Sequence, residues 1–553
     1  MKIALAQIDP TVGDFRGNTA KILEFTRRAK AGGAELVVFP ELAICGYPPA
    51  DLLEKPAFVA RCGEALDEIA RATAGDSIAV VAGYVTPAPA GTGKHVMNSA
   101  ALLRGGRVEF TQSKMLLPFY DVFDEQRYFA PATRQRICEL NGKPVALTIC
   151  EDAWNDKSFW ENRLYQVDPV EELMKQGAKL ILNISASPWW RNKRALRREM
   201  LAAIAVRHRV PVAMVNQVGG NDSLVFDGSS VAIGPDGRVI AQAKSFEEDL
   251  VLVDVDGADP DALAGNCRTE TEDEDAAMLE ALTLGTRDYV RKCGFSRAVV
   301  GLSGGIDSAL VAAIAARALG PENVTTLGMP SPYSSQGSID DSRKLAANLG
   351  IRYETIRIDE IFAAFNQGLA GVFAGRAPDI AEENVQSRIR GALLMAFSNK
   401  FNALVLTTGN KSEMSTGYCT LYGDMVGALA VIGDVFKTRV YDLCRCVNAE
   451  RETIPRAILE KPPSAELRPG QKDTDTLPPY EVLDPILEAY VEHYETPEAI
   501  AGDRGLDPEM VHRVVEMVER SEYKRQQAAP VLKVTPKAFG MGRRFPIAVK
   551  VQV

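Results

Sequence analysis

The chain has 553 residues, which at roughly 150 residues per domain is enough for about two to four domains. Apolar residues make up 46% and charged residues 25%, proportions that exclude a disordered or fibrous protein. Acidic residues outnumber basic ones by 73 to 63, giving a net charge of −10, so the composition provides no general attraction to nucleic acid phosphates. We therefore expect no nucleic acid partner.

The start of the chain and its cysteines indicate where the protein works. The segment MKIALAQIDPTVGD has charged residues where a signal peptide needs an apolar stretch, and no run of about 18 apolar residues occurs. The nine cysteines are scattered without the spacing of a disulfide framework. We expect a cytoplasmic protein with reduced thiols and no membrane partner.

Strand-like and helix-like segments alternate over the first 255 residues or so. Apolar β-rich runs are KIALAQI, AELVVFPE, SIAVVAGYV, NSAALL, KPVALTIC, AKLILNISA, VPVAMVNQV, SSVAIG and LVLVDVD. Residues 18–32, 167–177 and 194–209 have apolar side chains at three- and four-residue spacing, which indicates amphipathic helices. This pattern predicts an α/β domain dominated by sheets, and two sheets with outer helices would fit it.

A polar segment separates this region from the rest of the chain. Residues 257–275, GADPDALAGNCRTETEDED, lack apolar periodicity and are rich in Asp, Glu, Gly and Pro. We predict a first domain at 1–260, a linker at 261–275 and a second domain at 276–553.

Strands and helices alternate again in the second domain. After a helical run at 276–292, the strand-like segments RAVVGLS, NVTTLGMP, RYETIRID and ALVLTTGN alternate with helical stretches at 308–319, 340–349 and 386–399. Repetition of this kind predicts a doubly wound parallel sheet. Two Gly-, Pro- and polar-rich stretches, 366–382 and 461–479, are predicted as long surface loops that could close over a site.

Three residues of the first domain follow strand-like runs and fit one chemistry. Cys150 ends PVALTIC, Glu41 ends AELVVFPE and Lys114 ends VEFTQSK. A carboxylate can take the proton of a thiol that attacks an amide carbonyl, and an ammonium can stabilise the thiolate and the oxyanion. The alternative is a small core cysteine with a carboxylate and an ammonium exposed at loop ends.

The strings around these residues, FPELAICGYPP, KMLLPFYDVFDEQRYF and ICEDAW, resemble the nitrilase-type amidase superfamily over about 250 residues. The resemblance implies an α-β-β-α sandwich with Glu41 as base, Lys114 as the catalytic lysine and Cys150 as nucleophile. The middle string is most similar to the glutaminase branch. That similarity implies that glutamine binds near Tyr120, Ser187 and Lys193.

The second domain contains a glycine-rich turn between a strand and a helix, in AVVGLSGGIDSALVAAIAARALG. Glycines let the backbone approach anionic oxygens, the hydroxyls of Ser303 and Ser308 add donors, and the helix N-terminus favours negative charge. Asp307 could hold Mg²⁺ near the phosphates. The string is neither the Walker A pattern nor GxGxxG. The turn therefore predicts a phosphate site of another kind.

SGGIDS resembles the loop of ATP pyrophosphatases, which split ATP between its α and β phosphates and adenylate a substrate oxygen. The strings ENVQSRIRGALLMAFSN, VLTTGNKSEMSTGYCTLYGD and SEYKRQQAAPVLKVTPKAFG are similar to NAD synthetases. The resemblance implies an adenine nucleotide α-hydrolase type of fold and these ATP contacts: Gly301, Leu302, Ser303, Gly304, Gly305, Ile306, Asp307, Ser308 and Thr408. It also implies deamido-NAD contacts at Asn384, Glu413 and Lys524.

Asp424 and Lys437 lie in motifs that match the same family, and we expect Lys437 to meet phosphate. The alternative for both is a solvated residue of a charged loop.

Over nearly its full length the chain thus resembles the glutamine-dependent NAD synthetase family. The resemblance implies ATP- and Mg²⁺-dependent amidation of deamido-NAD with ammonia from glutamine, and a homo-oligomer. Three alternatives remain: amidation of another adenylated carboxylate, an RNA-modifying sulfurtransferase, and a non-catalytic metabolite-sensing scaffold. A sulfurtransferase would need a catalytic cysteine pair and a basic surface, and neither stands out.

Overall fold

The computed structural model describes residues 1–257, 267–268 and 273–550. The chain forms two compact units, Met1–Glu272 and Asp273–Val553. Most of the predicted linker at 261–275 lies outside the described residues. Within the described residues, no helix is both long and apolar enough to cross a membrane.

The described part of the first unit contains two six-stranded sheets and a two-stranded hairpin. The strands are β1 (Lys2–Gln7), β2 (Leu36–Val38), β3 (Ala79–Pro87), β4 (Val96–Arg104), β5 (Arg107–Ser113), β6 (Cys138–Leu140), β7 (Lys143–Ile149), β8 (Leu180–Ser185), β9 (Val212–Asn216), β10 (Val218–Asn221), β11 (Leu224–Asp227), β12 (Val231–Ile233), β13 (Val239–Gln242) and β14 (Asp249–Asp254). One sheet has the order β14-β1-β2-β3-β4-β5 and the other the order β13-β12-β9-β8-β7-β6.

Helices cover the outer face of each sheet. They are α1 (Phe15–Ala31), α2 (Pro56–Ala72), α3 (Glu125–Tyr128), α4 (Pro169–Lys175) and α5 (Lys193–His208). Successive residues of a strand point to opposite faces, so Ile3 lies in the core between the sheets while Ala4 packs in the cluster with α1 and α2. Likewise, Leu147 points between the sheets and Ala146 points toward α4 and α5. The expected α-β-β-α sandwich is confirmed.

The second unit is built on a five-stranded sheet in which all paired strands are parallel. Its strands are β15 (Ala298–Gly301), β16 (Val324–Gly328), β17 (Arg352–Thr355), β18 (Leu404–Thr407) and β19 (Leu429–Ala430). The order is β17-β16-β15-β18-β19, so the chain reverses its direction of winding between β15 and β18. The predicted doubly wound sheet is confirmed. Ligands of such sheets bind at the carboxyl ends of the strands where this reversal occurs.

The helices of the second unit include the crossovers of the sheet and a C-terminal cluster. They are α6 (Glu274–Lys292), α7 (Ile306–Leu319), α8 (Gln336–Leu349), α9 (Asp359–Leu369), α10 (Ile380–Phe401), α11 (Lys411–Thr416), α12 (Lys437–Val447), α13 (Arg456–Glu460), α14 (Tyr480–Leu487), α15 (Pro497–Arg504), α16 (Pro508–Arg520) and α17 (Glu522–Arg525). α14 continues into a π-helical turn, Glu488–Glu492. The C-terminal cluster packs on a stripe of α16 that contains Val511, Val514, Val515 and Val518.

The loop predicted at 366–382 is shorter than expected. α9 extends to Leu369 and α10 begins at Ile380, because Asp379 accepts a hydrogen bond from the Ala381 N–H and Glu382 accepts one from the Asp379 N–H at 2.8 Å. The stretch 461–479 is a loop apart from a short helical turn, Asp473–Asp475.

Leu147 offers a test of the core between the two sheets, where its exposed fraction is 0%. We expect Leu147→Ala to lower the free energy of unfolding by about 2–5 kcal/mol, because apolar contacts are lost and a cavity remains. All four tryptophans lie in the first unit, so tryptophan fluorescence during urea unfolding reports on this unit. Leu164, 60% exposed, is the control, and Leu164→Ala should change stability by less than about 0.5 kcal/mol. Equal effects of the two substitutions would contradict this placement.

Two candidate active sites

The three predicted catalytic residues of the first unit lie just beyond strand ends in both sheets. Glu41 follows β2, and Lys114 directly follows β5 of the same sheet. Cys150 directly follows β7 of the other sheet and begins a helical turn, Cys150–Ala153. The two sheets therefore each contribute to one site.

A buried ammonium lies at the centre of this site. The Lys114 Nζ is 2.7 Å from Glu41 Oε1 and 2.8 Å from Glu125 Oε1, and none of the three side chains is more than 5% exposed. Asn98 donates to Glu41 Oε1 at 2.7 Å, and the Ala186 N–H donates to Glu41 Oε2 at 2.9 Å. These bonds fix the Glu41 carboxylate on both oxygens.

The charges in this cluster act strongly on one another. Burial alone would lower the pKa of Lys114, but the carboxylates of Glu125 and Glu41 more than offset it and raise that pKa well above its usual value. Burial raises the pKa of Glu125 despite the neighbouring Lys114 ammonium. Lys114 is therefore a permanent cation.

Cys150 is a buried thiol next to this cluster. Its backbone φ is 42°, a left-handed conformation that is unusual for a residue with a side chain, and its exposed fraction is 5%. Burial raises the pKa of the thiol, and the Glu41 carboxylate raises it further while the Lys114 ammonium acts in the opposite direction. The thiol is therefore neutral in the free protein, and it needs a base before it can attack.

Asp152 ties the lysine segment to the cysteine turn. Its Oδ1 accepts hydrogen bonds from the N–H groups of Met115 and Leu116 at 3.0 and 2.9 Å, and its Oδ2 accepts one from Ile149 at 3.2 Å. This single carboxylate sets the spacing between the residues that follow Lys114 and the strand that ends at Cys150. The sequence analysis did not identify Asp152, although it lies within the ICEDAW string.

The three predicted glutamine-binding residues surround the same site. The Tyr120 hydroxyl donates to both carboxylate oxygens of Glu151, the residue after Cys150, at 3.1 and 2.9 Å. The Lys193 Nζ donates to the Pro188 carbonyl at 2.8 Å, and its charge lowers the pKa of Glu151 against the raising effect of burial. Ser187 follows Ala186, the residue whose N–H holds Glu41.

The second site is a cavity of about 370 Å³ at the carboxyl ends of β15 and its neighbours. It brings together nearly all the residues predicted for the second domain. Those lining it are Gly301, Leu302, Ser303, Gly305, Ile306, Asp307, Ser308, Asn384, Thr408, Glu413, Asp424, Lys437 and Lys524. The predicted nucleotide-binding residues therefore lie at the position where the sheet reverses its direction of winding.

Gly304 differs from its neighbours because it does not line the cavity. Its φ is +80°, and a Cβ atom there would lie 2.4 Å from the Ser338 carbonyl oxygen. Gly304 thus allows the loop to pack against α8. Within the loop, the Ser303 and Ser308 hydroxyls are 3.1 Å apart, and the Gly305 N–H donates to Ser303 Oγ at 3.2 Å.

Lys437 is the buried ammonium of the second site. Its Nζ forms a short contact with Asp307 Oδ2 and lies 3.7 Å from Glu413 Oε1, while Asn410 donates to Asp307 Oδ1 at 2.9 Å. Burial raises the pKa of Glu413, and the Asp307 carboxylate raises it further. The Lys437 ammonium is therefore paired with the Asp307 carboxylate, while the raised pKa favours the neutral form of Glu413.

Two of the three residues predicted for deamido-NAD, Asn384 and Lys524, meet Asp424 around the segment 417–424, while Glu413 lies beside Lys437. Asn384 Oδ1 accepts from the Thr420 hydroxyl at 2.7 Å, and Asp424 Oδ1 accepts from the Thr420 N–H at 2.6 Å. The Lys524 Nζ donates to the carbonyls of Gly417 and Cys419 at 2.6 and 2.7 Å.

The predicted loop at 461–479 contributes further residues to the cavity. Lys461 and Glu466 form an ion pair at 2.9 Å, and Glu466 accepts a hydrogen bond from the Ser338 hydroxyl at 2.7 Å. Arg390 of α10 also lines the cavity. Arg390 lies within the ENVQSRIRGALLMAFSN string and Lys461 begins the predicted loop, but no role was predicted for any of the three.

Each half of the chain matches a known protein family. Residues 2–263 match the carbon-nitrogen hydrolase family and residues 278–528 match the NAD synthase family. The glutamine-dependent NAD(+) synthetase of Synechocystis is 50% identical, with alignment over 99% of this chain and 98% of that protein. The glutamine-dependent NAD(+) synthetase of Thermotoga maritima is 45% identical over the same shares.

A solved structure agrees with these sequence matches. The glutamine-dependent NAD+ synthetase of Acinetobacter baumannii, determined in complex with ADP, is 38% identical with a TM-score of 0.76, over 99% of this chain and 98% of that one. Identity at this level along the whole chain confirms the resemblance found in the sequence. The chain belongs to the glutamine-dependent NAD(+) synthetase family.

Proposed function

We propose that this chain amidates deamido-NAD to NAD, with ammonia released from glutamine in the first unit and ATP consumed in the second. The observation that carries the proposal is that one chain holds both a buried Glu41, Lys114 and Cys150 cluster and a cavity lined by the Gly301–Ser308 loop. The first is suited to amide cleavage and the second to adenylation. The family relatives, which match over the full length, support this combination.

In the proposed glutaminase step, Glu41 takes the proton of the Cys150 thiol as the sulfur attacks the carbonyl carbon of the glutamine side chain. Lys114 stabilises the oxyanion of the tetrahedral intermediate. The proton passes to the leaving nitrogen, ammonia departs and a γ-glutamyl thioester remains. Water then hydrolyses the thioester to glutamate and restores the thiol. Tyr120, Ser187 and Lys193 would hold the substrate.

In the proposed synthetase step, the nicotinate carboxylate of deamido-NAD attacks the α-phosphorus of ATP. The bond from that phosphorus to the bridging oxygen breaks, and pyrophosphate leaves with the electron pair. Ammonia then attacks the carbonyl carbon of the adenylate, AMP leaves and a proton is lost to give the amide. The Gly301–Ser308 loop, Thr408 and Lys437 would bind ATP, and Asn384, Glu413 and Lys524 would bind deamido-NAD.

The residues of the second site fit a magnesium ion. Asp307 and Glu413 lie together beside the Lys437 ammonium, and carboxylate oxygens are ligands that Mg²⁺ prefers. A bound cation would favour the ionised form of Glu413 against the effect of burial. Asp307 would hold the ion beside the phosphate loop. When bound, the ion would neutralise phosphate charge during the transfer.

We assign the glutaminase to residues 1–260 and the synthetase to residues 276–553. A homo-oligomer in the cytoplasm stays a prediction from the resemblance and the sequence.

Cys150→Ala tests the division of labour between the two units. We expect the variant to lose NAD formation from deamido-NAD, Mg-ATP and glutamine by at least about 10³-fold, because the nucleophile is absent. It should keep the rate with ammonium chloride, since the second site does not use this thiol. Wild-type protein that forms no NAD with either nitrogen source would overturn the proposed function, and a variant active with glutamine would overturn the role of Cys150.

The raised pKa of Cys150 predicts how its alkylation depends on pH. Only the thiolate reacts with iodoacetamide, so the rate should rise about tenfold per pH unit from about pH 6.5 to 9 without levelling off. Mass spectrometry of the peptide that contains Cys150 measures this rate apart from the other cysteines, with N-acetylcysteine as reference. A plateau below about pH 8 would mean that the free protein already holds a thiolate.

A further inference from the structure

Arg390 is a cation of the second cavity that none of the assigned roles uses. It lies in α10, its side chain lines the cavity, and its Nε donates a hydrogen bond to the Met329 carbonyl at 3.0 Å. Met329 follows β16, the strand next to β15. The guanidinium is thus anchored at one nitrogen, at the edge of the sheet where the phosphate loop begins.

The other two guanidinium nitrogens have no partner among residues 1–257, 267–268 and 273–550. No carboxylate in these ranges forms an ion pair with Arg390, and the only hydrogen bond of its side chain is the one to Met329. Burial lowers the pKa of Arg390 to about 10 against the raising effect of the Glu466 carboxylate, so the group stays charged at neutral pH. The two Nη groups therefore present an unpaired positive charge to an anionic ligand.

Lys437, in contrast, is already paired with Asp307 and Glu413. Four cationic side chains line the cavity. Lys437 and Lys461 form ion pairs, and the Lys524 Nζ is held by two backbone carbonyls. The Arg390 Nη groups have no such partner among the described residues. An anionic group of a bound substrate would complement Arg390.

The position of Arg390 along α10 indicates which group that is. Seven residues of α10 line the cavity, and among them Asn384, Ser387, Arg390 and Leu394 recur at three- to four-residue spacing and so share one face. Asn384 is at the end proposed for deamido-NAD, and Leu394 packs against Gly301, where a Cβ atom would lie 3.3 Å from Leu394 Cδ1. Arg390 therefore lies between Asn384, proposed to bind deamido-NAD, and Gly301, where the proposed ATP loop begins.

A close backbone contact holds this part of α10 in place. A Cβ atom on Gly391 would lie 2.9 Å from the Tyr422 carbonyl oxygen and 3.0 Å from that of Gly423. The absence of a side chain at 391 thus lets α10 approach that loop closely. Arg390 projects from a fixed segment of the helix.

We propose that Arg390 binds the α-phosphate of ATP and stabilises it as the nicotinate carboxylate attacks. This inference rests on the proposed function, because the α-phosphate is the part of ATP that must meet deamido-NAD. Negative charge increases on the non-bridging oxygens during the transfer, and a guanidinium in a partly buried site interacts strongly with such oxygens. Arg390 is then a catalytic residue of the adenylation step.

The test compares Arg390→Met with the wild type, using ammonium chloride as the nitrogen source so that the first unit is not needed. We expect kcat to fall by about 100-fold, with KM for ATP changed by less than about fivefold, since the contact strengthens in the transition state. Arg390→Lys should recover part of the rate. Lys400→Met, which removes an exposed charge from the same helix, should match the wild type.

Adenosine 5′-O-(1-thiotriphosphate) tests whether Arg390 contacts the α-phosphate directly. A residue with a purely structural role would not change the ratio of the rates with ATP and with this analogue. Sulfur in place of the α-phosphate oxygen that contacts Arg390 should lower the rate of the wild type with one diastereomer. The ratio of the ATP rate to the thio-ATP rate with that diastereomer should be smaller in Arg390→Met. An unchanged ratio would overturn the proposal, and so would a variant that raises KM for ATP but keeps kcat. If Arg390→Met does not fold, as judged by circular dichroism, the same ratio in Arg390→Lys decides the question.

The wild-type rate distinguishes a failure of the proposed function from a failure of the role of Arg390. If the wild type makes no NAD from deamido-NAD, ATP and ammonium, the proposed function fails. If the wild type makes NAD and the Arg390 variants behave like it, only the role of Arg390 fails.

Discussion

Each site is organised around one buried lysine ammonium that lies between two carboxylates. Lys114 contacts Glu41 and Glu125, and Lys437 contacts Asp307 and Glu413. Taking a charge out of water costs several kcal/mol unless it is paired, so removing one partner of such a cluster typically costs about 3–5 kcal/mol. The second carboxyl group of each cluster, Glu125 or Glu413, has a pKa raised by burial. In the first site the cluster places Glu41 beside the Cys150 thiol, and in the second it places Glu413 beside Asp307.

Aspartates outside these clusters hold the segments that carry them. Asp152 spans the lysine and cysteine segments in the first site. In the second, Asp484 accepts hydrogen bonds from the Ser412 hydroxyl at 2.5 Å and the Thr438 N–H at 2.8 Å, and Ser412 Oγ accepts one from the Lys437 N–H. The start of α12 is therefore fixed to α11, which bears Glu413. Catalytic geometry in both units depends on backbone groups bound by buried carboxylates.

The sequence was most informative where a chemically reactive residue directly follows a strand. Cys150, Lys114 and the serine loop could be found because apolar runs end there and the family strings are local. Glu125 and Arg390 also lie within family strings, but their contacts could not be predicted. Glu125 accepts a hydrogen bond from Tyr47 and Arg390 donates one to Met329, and each contact joins elements distant in the chain. α2 and α16 were not predicted, although the buried residues of α2 (Cys62, Ala65, Leu66 and Ile69) recur at helical spacing, as the valines of α16 do. The predicted loop at 366–382 was too long because the capping residues at Asp379 and Glu382 were not considered.

The pairing of β1 with β14 has a consequence for synthesis of the chain. Lys2 is paired with Asp254, so the first strand of this unit lies beside its last strand. At about 5–20 residues per second, β1 waits about 10–50 s on the ribosome for this neighbour. During that time its apolar edge is open to other partners, and contacts of such long sequence separation form slowly. The first unit is thus a candidate substrate for chaperones that bind nascent chains.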